Sequence, residues 1–265
     1  MSGETLPRTS PVLEARDVSK SYGAVQALRN VDLQLYAGEV LGLVGDNGAG
    51  KTTLVKCLSG VHRPDGGQIV IDGVERHGLT ADVARALGVE TVYQNLSLVD
   101  TLDVMQNFFL HRELMYGSPV ARALGLLNRH RMYRETTERL QELELAVEAR
   151  RPVATLSGGQ RQMIAVARAI TWGTHIVMLD EPAAALGVRQ SVQVLKFVRS
   201  MGERGVAVLF ISHNMQHVLQ VTDRIVVLRH GEKVGDVRTS DATAQEIVTL
   251  ITGSDLVVKG QDVAV

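Results

Sequence analysis

Short apolar runs alternate with polar segments along most of the chain, and their spacing predicts strands separated by helices. Three strands are expected in the first part of the chain, at residues 12–18, 31–35 and 39–44. A glycine-rich loop follows the third strand, and a helix is expected over residues 51–59, where Gly60 can end it. Residues 68–71 and the turn at Asp72-Gly73 predict a hairpin at a sheet edge.

The pattern changes near residue 100 and returns to strand and helix alternation after residue 156. Residues 100–151 are helical and charged in character, which predicts a separate helical lobe with a solvated face held by pairs of opposite charge one turn apart. Strands then follow at residues 175–179, 206–211 and 224–228, and helices are expected up to residue 171, over 190–202 and over 215–221. This alternation predicts an α/β fold with a mainly parallel sheet covered by helices.

Composition narrows the class of protein. The chain has 265 residues, 45% hydrophobic and 22% charged, as in ordinary globular domains. Its formal net charge of -1 disfavours a surface built to coat nucleic acid. One cysteine, Cys57, excludes an intramolecular disulfide and a multi-cysteine metal site. Residues 1–12 do not have the pattern of a secretory signal, and no run approaches the roughly 20 apolar residues of a membrane span, so any link to a membrane is expected to be indirect.

The glycine-rich loop matches the pattern of a phosphate-binding loop, placed between a strand and a helix. Its residues are Gly45, Asp46, Asn47, Gly48, Ala49, Gly50, Lys51 and Thr52, followed by Thr53. Glycines let backbone N–H groups surround phosphate oxygens, and the helix N-terminus adds partial positive charge. Lys51 is predicted to reach the β- and γ-phosphates, and the Thr52 hydroxyl to ligate Mg²⁺. The structural alternative is a glycine-rich turn that only joins a strand to a helix, and a chance match to the whole motif in this flanking structure is rare.

Two carboxylates follow the apolar strand at residues 175–179. Asp180 is predicted to support Mg²⁺, as an acid at this position does in P-loop enzymes. Glu181 is predicted to orient or deprotonate the attacking water. Together with Lys51, this pair favours nucleotide chemistry over a polar turn.

The segment Leu156-Ser157-Gly158-Gly159-Gln160, here called the signature segment, gives the chain a resemblance to the ATP-binding subunits of ABC transporters. As residues at a helix start, Ser157, Gly158 and Gly159 offer a second anion site, although a serine N-cap alone would look the same. The resemblance covers residues 12 to 228. It implies a P-loop NTPase core, an N-terminal antiparallel β subdomain and an inserted helical lobe at about residues 100–171. It also implies a single ATPase domain over residues 1–254 with a C-terminal tail at 255–265.

Three further positions resemble functional residues of that family. Tyr22 matches the aromatic side chain that stacks on adenine. Gln94 matches the glutamine that senses Mg²⁺ and the γ-phosphate and leads into the surface meeting the membrane subunit. His213 matches the histidine that contacts the γ-phosphate. Each residue taken singly has a plain structural reading, and the complete set favours the functional one.

The loop after Pro182 departs from the usual pattern, because Gly187 stands where many family members have aspartate. Small residues at this position also occur in the monosaccharide-importing branch, which the chain resembles in its phosphate-binding loop and around His213. The contact between subunits credited to that aspartate is therefore in doubt. Many members of this branch carry two ATPase cassettes, and this chain has one.

The resemblance implies a homodimer closing over two Mg·ATP, with the signature segment of one subunit facing the phosphate-binding loop of the other. The expected partners are integral membrane permease subunits and, indirectly, a periplasmic or extracellular sugar-binding protein, with no nucleic acid. The expected location is peripheral, at the cytoplasmic face of the cell membrane. The nearest alternative is an ABC-type ATPase subunit of the same kind that drives transport of another cargo, such as branched-chain amino acids or lipopolysaccharide. A soluble ABC protein acting on ribosomes or DNA, and a nucleotide kinase, are the alternatives from other classes.

Overall fold

The computed structural model describes residues 10–94 and 97–253. The strands are β1 (Leu13–Tyr22), β2 (Val25–Leu35), β3 (Val40–Val44), β4 (Gly66–Ile71), β5 (Val74–Glu75), β6 (Val89–Val92), β7 (Ile176–Asp180), β8 (Ala207–Ile211), β9 (Arg224–Arg229) and β10 (Glu232–Arg238). The helices are α1 (Lys51–Leu58), α2 (Ala81–Ala86), α3 (Val104–Phe108), α4 (Pro119–Ala123), α5 (Arg129–Glu142), α6 (Gly158–Trp172), α7 (Val188–Glu203), α8 (Met215–Val221) and α9 (Ala244–Thr252). Two 3₁₀ turns lie at Val153–Thr155 and Thr239–Asp241.

Within these residues the strands form two sheets. The smaller sheet has the order β2-β1-β4-β5 and is antiparallel. The larger has the order β10-β9-β3-β8-β7-β6, and every pairing in it is parallel except that of β9 with β10. The predicted combination of a mainly parallel sheet with an N-terminal antiparallel sheet is confirmed.

The central strands of the larger sheet are buried on both faces, which explains their continuous apolar sequence. In β3, Leu41 and Leu43 pack into the cluster shared with the antiparallel sheet and α1, whereas Val40 and Val44 pack into the cluster under α6, α7 and α8. Strand β7 divides its side chains in the same alternating way. The parallel sheet is therefore a layer between two hydrophobic cores.

An ion-pair network around Arg224 joins the two sheets. Arg224 lies at the start of β9, and its Nε is 2.9 Å from Oε1 of the buried Glu39, while its Nη1 is 2.7 Å from Asp236 on β10. Its Nη2 donates to the backbone carbonyl of Gln34 on β2. The guanidinium thus connects the edge of the parallel sheet to the antiparallel sheet.

The region after residue 100 contains less helix than its charged sequence predicts. Helices α3 and α4 have five residues each, and loops connect them to α5. The solvated face of α5 agrees with the prediction, since Arg131 pairs with Glu135 at 2.7 Å and Arg134 lies 3.8 Å from Glu138, each one helical turn away. A third hydrophobic cluster, between α3, α5 and α6, holds this lobe together.

The expected strands and helices are all present, with ends shifted by a few residues in several cases; α2, β6, β10 and α9 are additional to them. The predicted C-terminal tail and most of the N-terminal segment examined for a signal lie outside the described residues. Among the helices that the structure describes, none has the length and apolar character needed to cross a bilayer.

Candidate functional site

An open cleft of about 830 Å³ lies where β3, β7 and β8 end at one edge of the parallel sheet. Adjacent parallel strands place their carboxyl ends together, so residues far apart in sequence meet there. Every predicted site residue outside the signature segment lines this cleft, namely Tyr22, Gly45, Asp46, Asn47, Gly48, Ala49, Gly50, Lys51, Thr52, Thr53, Gln94, Asp180, Glu181 and His213.

The phosphate-binding loop is fixed from several sides before any nucleotide is present. Lys51 Nζ donates to the carbonyl oxygens of Gly45 at 2.6 Å and Asp46 at 2.9 Å. On the outer side, Gly231 in the turn between β9 and β10 donates its N–H to the Ala49 carbonyl and accepts from the N–H of Arg29. Burial lowers the pKa of Lys51, and the nearby carboxylates of Glu181, Asp180 and Asp46 oppose that effect. The loop is therefore preformed around a charged ammonium group.

Glycine is required at Gly45 by space. A Cβ there would lie 2.1 Å from the backbone carbonyl oxygen of Leu228. We expect Gly45→Ala to destabilise the protein by about 2 kcal/mol or more, since neither backbone can yield without disturbing β9, and to abolish nucleotide binding. Gly48→Ala is the matched control, because Gly48 has φ +82° and nothing within 4 Å of a Cβ, so it should lose only about 1–2 kcal/mol to backbone strain. Thermal unfolding and nucleotide titration of both variants check the contrast; equal losses would contradict it.

Thr52 and Asp180 form the oxygen-rich part of the cleft. Thr52 Oγ1 donates to Asp180 Oδ2 at 3.0 Å, joining the start of α1 to the end of β7. Burial raises the pKa of Asp180, the hydrogen bond from Thr52 lowers it, and the neighbouring charge of Glu181 raises it further. A buried carboxylate beside a hydroxyl is a hard, oxygen-donating set of the kind that suits Mg²⁺.

The raised pKa of Asp180 carries a stability consequence. Because the folded-state pKa lies above the unfolded value, the ionised carboxylate disfavours the folded state at neutral pH, and this penalty is relieved as the pH falls through the folded-state pKa. We expect Asp180→Asn, which can still accept from Thr52, to raise the melting temperature of the nucleotide-free protein at pH 7.5 and to lose hydrolysis. The gain should shrink at pH 4.5. A lower melting temperature at pH 7.5 would show that the carboxylate is stabilising.

The Glu181 side chain is held in place through its own backbone. Its φ of +55° is in the left-handed region, where a side chain costs about 1–2 kcal/mol. The conformation is anchored at both ends, because the Glu181 N–H donates to the Ile211 carbonyl at 3.0 Å and Nε2 of the buried Gln162 donates to the Glu181 carbonyl at 3.2 Å. This strained turn directs the carboxylate into the cleft instead of along β7.

His213 makes two contacts with that carboxylate. Both its backbone N–H and its ring Nδ1 are 2.9 Å from Glu181 Oε1. When Nδ1 donates to the Glu181 carboxylate, Nε2 does not take part in that hydrogen bond. The imidazole ring is largely exposed and lines the cleft. The ends of β7 and β8 thus present a paired carboxylate and imidazole opposite Lys51.

Tyr22 closes the far end of the cleft. The half-exposed ring packs edge-on against His62, with centroids 5.7 Å apart, and Lys20 Nζ lies 5.7 Å from its centroid. A ring supported at its edge and open on a face offers a flat apolar surface beside the phosphate loop.

The signature segment lies outside this cleft of its own chain. Ser157 caps α6, its Oγ accepting from the Gln160 N–H at 3.2 Å while the Gln160 side chain accepts from the Ser157 N–H at 3.0 Å. A Cβ on Gly159 would lie 3.6 Å from the Ala185 carbonyl oxygen, so this helix start borders the loop that leads to Gly187. Gly158 has nothing within 4 Å of a Cβ, which leaves its backbone open to a ligand or to another chain.

Four cleft residues were missed by the sequence reasoning. They are Val25, Gln26, Ala27 and Ala184. The first three open β2, and the turn at Gly23 folds them back beside Tyr22. Recognition of the β1–β2 hairpin would have predicted them. Gln162 was also missed, and its position two residues after the signature segment was the available signal.

A preformed phosphate loop between strand and helix, with an acid at the end of a second parallel strand of the same sheet, defines a P-loop nucleotide-binding protein. The sequence profile of the ABC transporter family matches residues 28–184. The chain belongs to this family, and it is an ABC-type ATPase.

Similar proteins are named as import subunits. The fructose import ATP-binding protein of Rhizobium meliloti is 42% identical over 92% of this chain and 95% of its own length. The xylose/arabinose import ATP-binding protein of Sulfolobus acidocaldarius is 40% identical over 92% of this chain and 94% of its own length. A ribose import ATP-binding protein of Rubrobacter xylanophilus is 41% identical over 93% of this chain, which matches 48% of that longer protein.

Solved structures share the fold. A nucleotide-free ATP-binding cassette from an ABC transporter superposes with a TM-score of 0.77 at 21% identity, covering 94% of this chain and 98% of the other. A dimeric cassette in a post-hydrolysis state bound to ADP and phosphate has a TM-score of 0.74 at 24% identity, covering 86% of this chain and 98% of the other.

Proposed function

We propose that this chain is the ATP-hydrolysing subunit of a monosaccharide importer. The observation that carries the proposal is the meeting of Lys51, Asp180 and the Glu181–His213 pair in one cleft of a chain whose relatives are named for fructose, xylose/arabinose and ribose import. The cargo is inferred from those relatives, because the lining of the cleft matches a nucleotide site and carries no information about the cargo. Residues 1–254 form the proposed ATPase domain, with the helical lobe at about 100–171.

ATP binding uses the preformed loop. Backbone N–H groups from Gly45 to Thr53 receive the phosphates, and Lys51 exchanges its carbonyl partners for phosphate oxygens. Tyr22 stacks on the adenine. Since the loop and its lysine are in place beforehand, little rearrangement of the chain accompanies binding.

Mg²⁺ fits the oxygen pair at the loop. Thr52 and Asp180 would hold the ion, as their oxygens are already 3.0 Å apart, and Gln94 borders the same cleft. A bound Mg²⁺ neutralises charge on the β- and γ-phosphates.

Hydrolysis is assigned to Glu181 and His213. Glu181 accepts a proton from the attacking water while the water oxygen bonds to the γ-phosphorus. The bond between the γ-phosphorus and the oxygen that bridges to the β-phosphate breaks, which releases ADP and phosphate. His213 Nδ1 orients the carboxylate, and its exposed ring approaches the γ-phosphate. Gln94 senses the γ-phosphate.

A homodimer completes the site. The signature segment does not line the cleft of its own chain, so it is proposed to contact the ATP held by a second copy, through Ser157, Gly158, Gly159 and Gln160. The dimer closes over two Mg·ATP and reopens after hydrolysis, and this motion is transmitted to the permease bound at the helical lobe. Nothing lies within 4 Å of a Cβ built on Gly187, the position at which many family members have aspartate. The proposed dimer contact is made without an aspartate side chain at this position.

The proposed partners are two permease subunits in the membrane and, through them, a periplasmic or extracellular sugar-binding protein, with no role for nucleic acid. The chain would then be peripheral, at the cytoplasmic face of the membrane. The permease docks near Gln94 and the helical lobe.

Affinity capture tests this proposal. Tagged Glu181→Gln protein is incubated with Mg·ATP and detergent-solubilised membranes of the native cell, and Lys51→Ala serves as the control that cannot hold nucleotide in the closed form. A polytopic membrane protein in near-stoichiometric amount, followed by ATP-dependent uptake of fructose, ribose or xylose by the reconstituted complex, is the expected result. Ribosomal proteins or nucleic acid in its place would overturn the proposal.

Gln162 is expected to matter for hydrolysis more than for nucleotide binding. Gln162→Leu removes the amide that holds the Glu181 carbonyl and should slow hydrolysis about tenfold with an unchanged affinity for ATP, at a stability loss of about 1–3 kcal/mol. Gln193→Leu is the matched control, since Gln193 Nε2 donates to the Leu143 carbonyl at 2.6 Å, away from the cleft. Phosphate release and melting temperature separate the two; equal rates in both variants would contradict the assignment.

A further inference from the structure

Residues 115–127 form a small projection from the helical lobe, here called the apolar projection. Its two ends pair, as Tyr116 N–H donates to the Leu126 carbonyl and Asn128 N–H to the Leu114 carbonyl, and α4 makes the turn between them. Within residues 115–127, Ala121 is buried and every other residue is exposed. The projection is therefore an exposed element with paired ends that contributes little to the core.

Its exposed surface is largely apolar. Val120 and Leu124, at the turn, are 69% and 68% exposed. The other large apolar side chains exposed on it are Met115, Tyr116, Leu126 and Leu127. Six such side chains within thirteen residues are a concentration that an isolated solvated loop does not explain, because exposed apolar groups that cluster mark an interaction surface.

The charged side chains between Glu113 and Glu135 are all arginines. Residues 114–134 include four arginines, at positions 122, 129, 131 and 134, and no aspartate or glutamate. Arg131 and Arg134 have carboxylate partners on α5, whereas Arg122 and Arg129 are exposed beside the apolar side chains and are not among the ion pairs of the described residues. Apolar side chains, a tyrosine and unneutralised arginines match the interface of an anionic phospholipid bilayer.

The position of the projection agrees with such a partner. The chain reaches it directly from Leu110, His111 and Arg112, which line a separate groove of about 280 Å³ with Tyr93, next to Gln94. On the proposed function, on which this step rests, that groove faces the permease, and the projection follows the groove-lining residues within a few positions of the chain. A concave groove suits a protein segment, whereas an exposed apolar tip suits insertion among lipid headgroups.

We infer that the apolar projection docks on the anionic lipid surface next to the permease, with Val120 and Leu124 in the headgroup boundary and Arg122 and Arg129 against lipid phosphates. The contact is made by the ATPase subunit itself and is additional to its contact with the permease. It orients the helical lobe against the bilayer.

Vesicle sedimentation tests the inference with the full-length protein. The wild type is expected to sediment with vesicles of phosphatidylcholine and phosphatidylglycerol, and far less with phosphatidylcholine alone or in 0.5 M salt. Val120→Ser with Leu124→Ser should weaken binding by about tenfold or more, and Arg122→Glu with Arg129→Glu should abolish the preference for anionic lipid. Val74→Ser with Val248→Ser, which changes exposed valines on β5 and α9, should bind as the wild type does.

The ATPase rate in detergent-free solution should be equal in all these variants, which shows that they are folded and separates this inference from the proposed function. Absence of vesicle binding by the wild type, or equal binding by the Val120/Leu124 variant, would overturn the inference. The inference would also be overturned if the wild type did not bind vesicles and the Val120/Leu124 variant no longer captured the permease. The projection would then contact protein and not lipid.

Discussion

Glu181→Gln should reduce ATP hydrolysis by about a hundredfold to ten-thousandfold, because the amide cannot accept the proton of the attacking water. The amide oxygen can still accept from the backbone N–H and ring Nδ1 of His213, both now 2.9 Å from the carboxylate, so the turn after β7 should keep its geometry. Nucleotide binding should therefore persist. Trapped Mg·ATP should hold two subunits together, and analytical ultracentrifugation should show a dimer at saturating Mg·ATP.

Glu232→Gln is the control for the loss of a carboxylate, since Glu232 lies on β10 at the surface, 3.7 Å from Arg29. It should hydrolyse ATP at the wild-type rate. A Glu181→Gln protein that remains monomeric with saturating Mg·ATP would refute the homodimer model, and one that hydrolyses at a wild-type rate would remove Glu181 from the mechanism.

Mixing two inactive variants should restore activity if each site is built from two chains. Lys51→Ala loses the ammonium that binds phosphate and should weaken ATP binding about ten- to hundredfold. Ser157→Asp retains a good N-cap for α6 and places a negative charge where the partner's phosphates are proposed to lie. A heterodimer of the two has one site in which both Lys51 and Ser157 are intact.

The expected rate of an equimolar mixture is about a quarter of the wild-type rate, because half the dimers are mixed and each mixed dimer has one complete site of two. Each variant alone should be nearly inactive, with a melting temperature close to that of the wild type for Ser157→Asp. A mixture no faster than its components would contradict two independently working composite sites. A fully active Ser157→Asp homodimer would contradict the placement of Ser157 at the nucleotide.

The sequence predicts those parts of the site in which a motif is compatible with a single local backbone geometry. The loop around Lys51 must follow a strand and begin a helix, and Asp180 must end a parallel strand of the same sheet, so the motif spacing and the alternation of strands and helices place them at the same sheet edge. The central strands were equally predictable, since burial on both faces leaves a continuous apolar run.

The remaining features depend on contacts between distant segments. Strand β10 is polar and lies at a sheet edge, where its register comes from pairing with β9 and from the Arg224 network. The left-handed turn at Glu181 is stabilised by Gln162 and Ile211, which no local propensity reveals. In the helical lobe, charged residues with high helix propensity predicted more helix than forms, because Gly117 and Pro119 precede α4 or lie at its start and Gly125 follows it with a φ of +64°.

Gly231 donates its N–H to the Ala49 carbonyl of the phosphate-binding loop, and its own carbonyl accepts from the Arg29 N–H on β2, so the β9–β10 turn holds the loop against the antiparallel sheet. The conformational entropy of the loop is thus lost during folding and not when nucleotide arrives. Nucleotide binding and folding are therefore thermodynamically linked. A change of solvent that destabilises the β9–β10 turn should lower nucleotide affinity. Saturating nucleotide should raise the melting temperature by mass action. For a cell whose ATP supply falls, the population of folded subunit and the rate of transport would decline together.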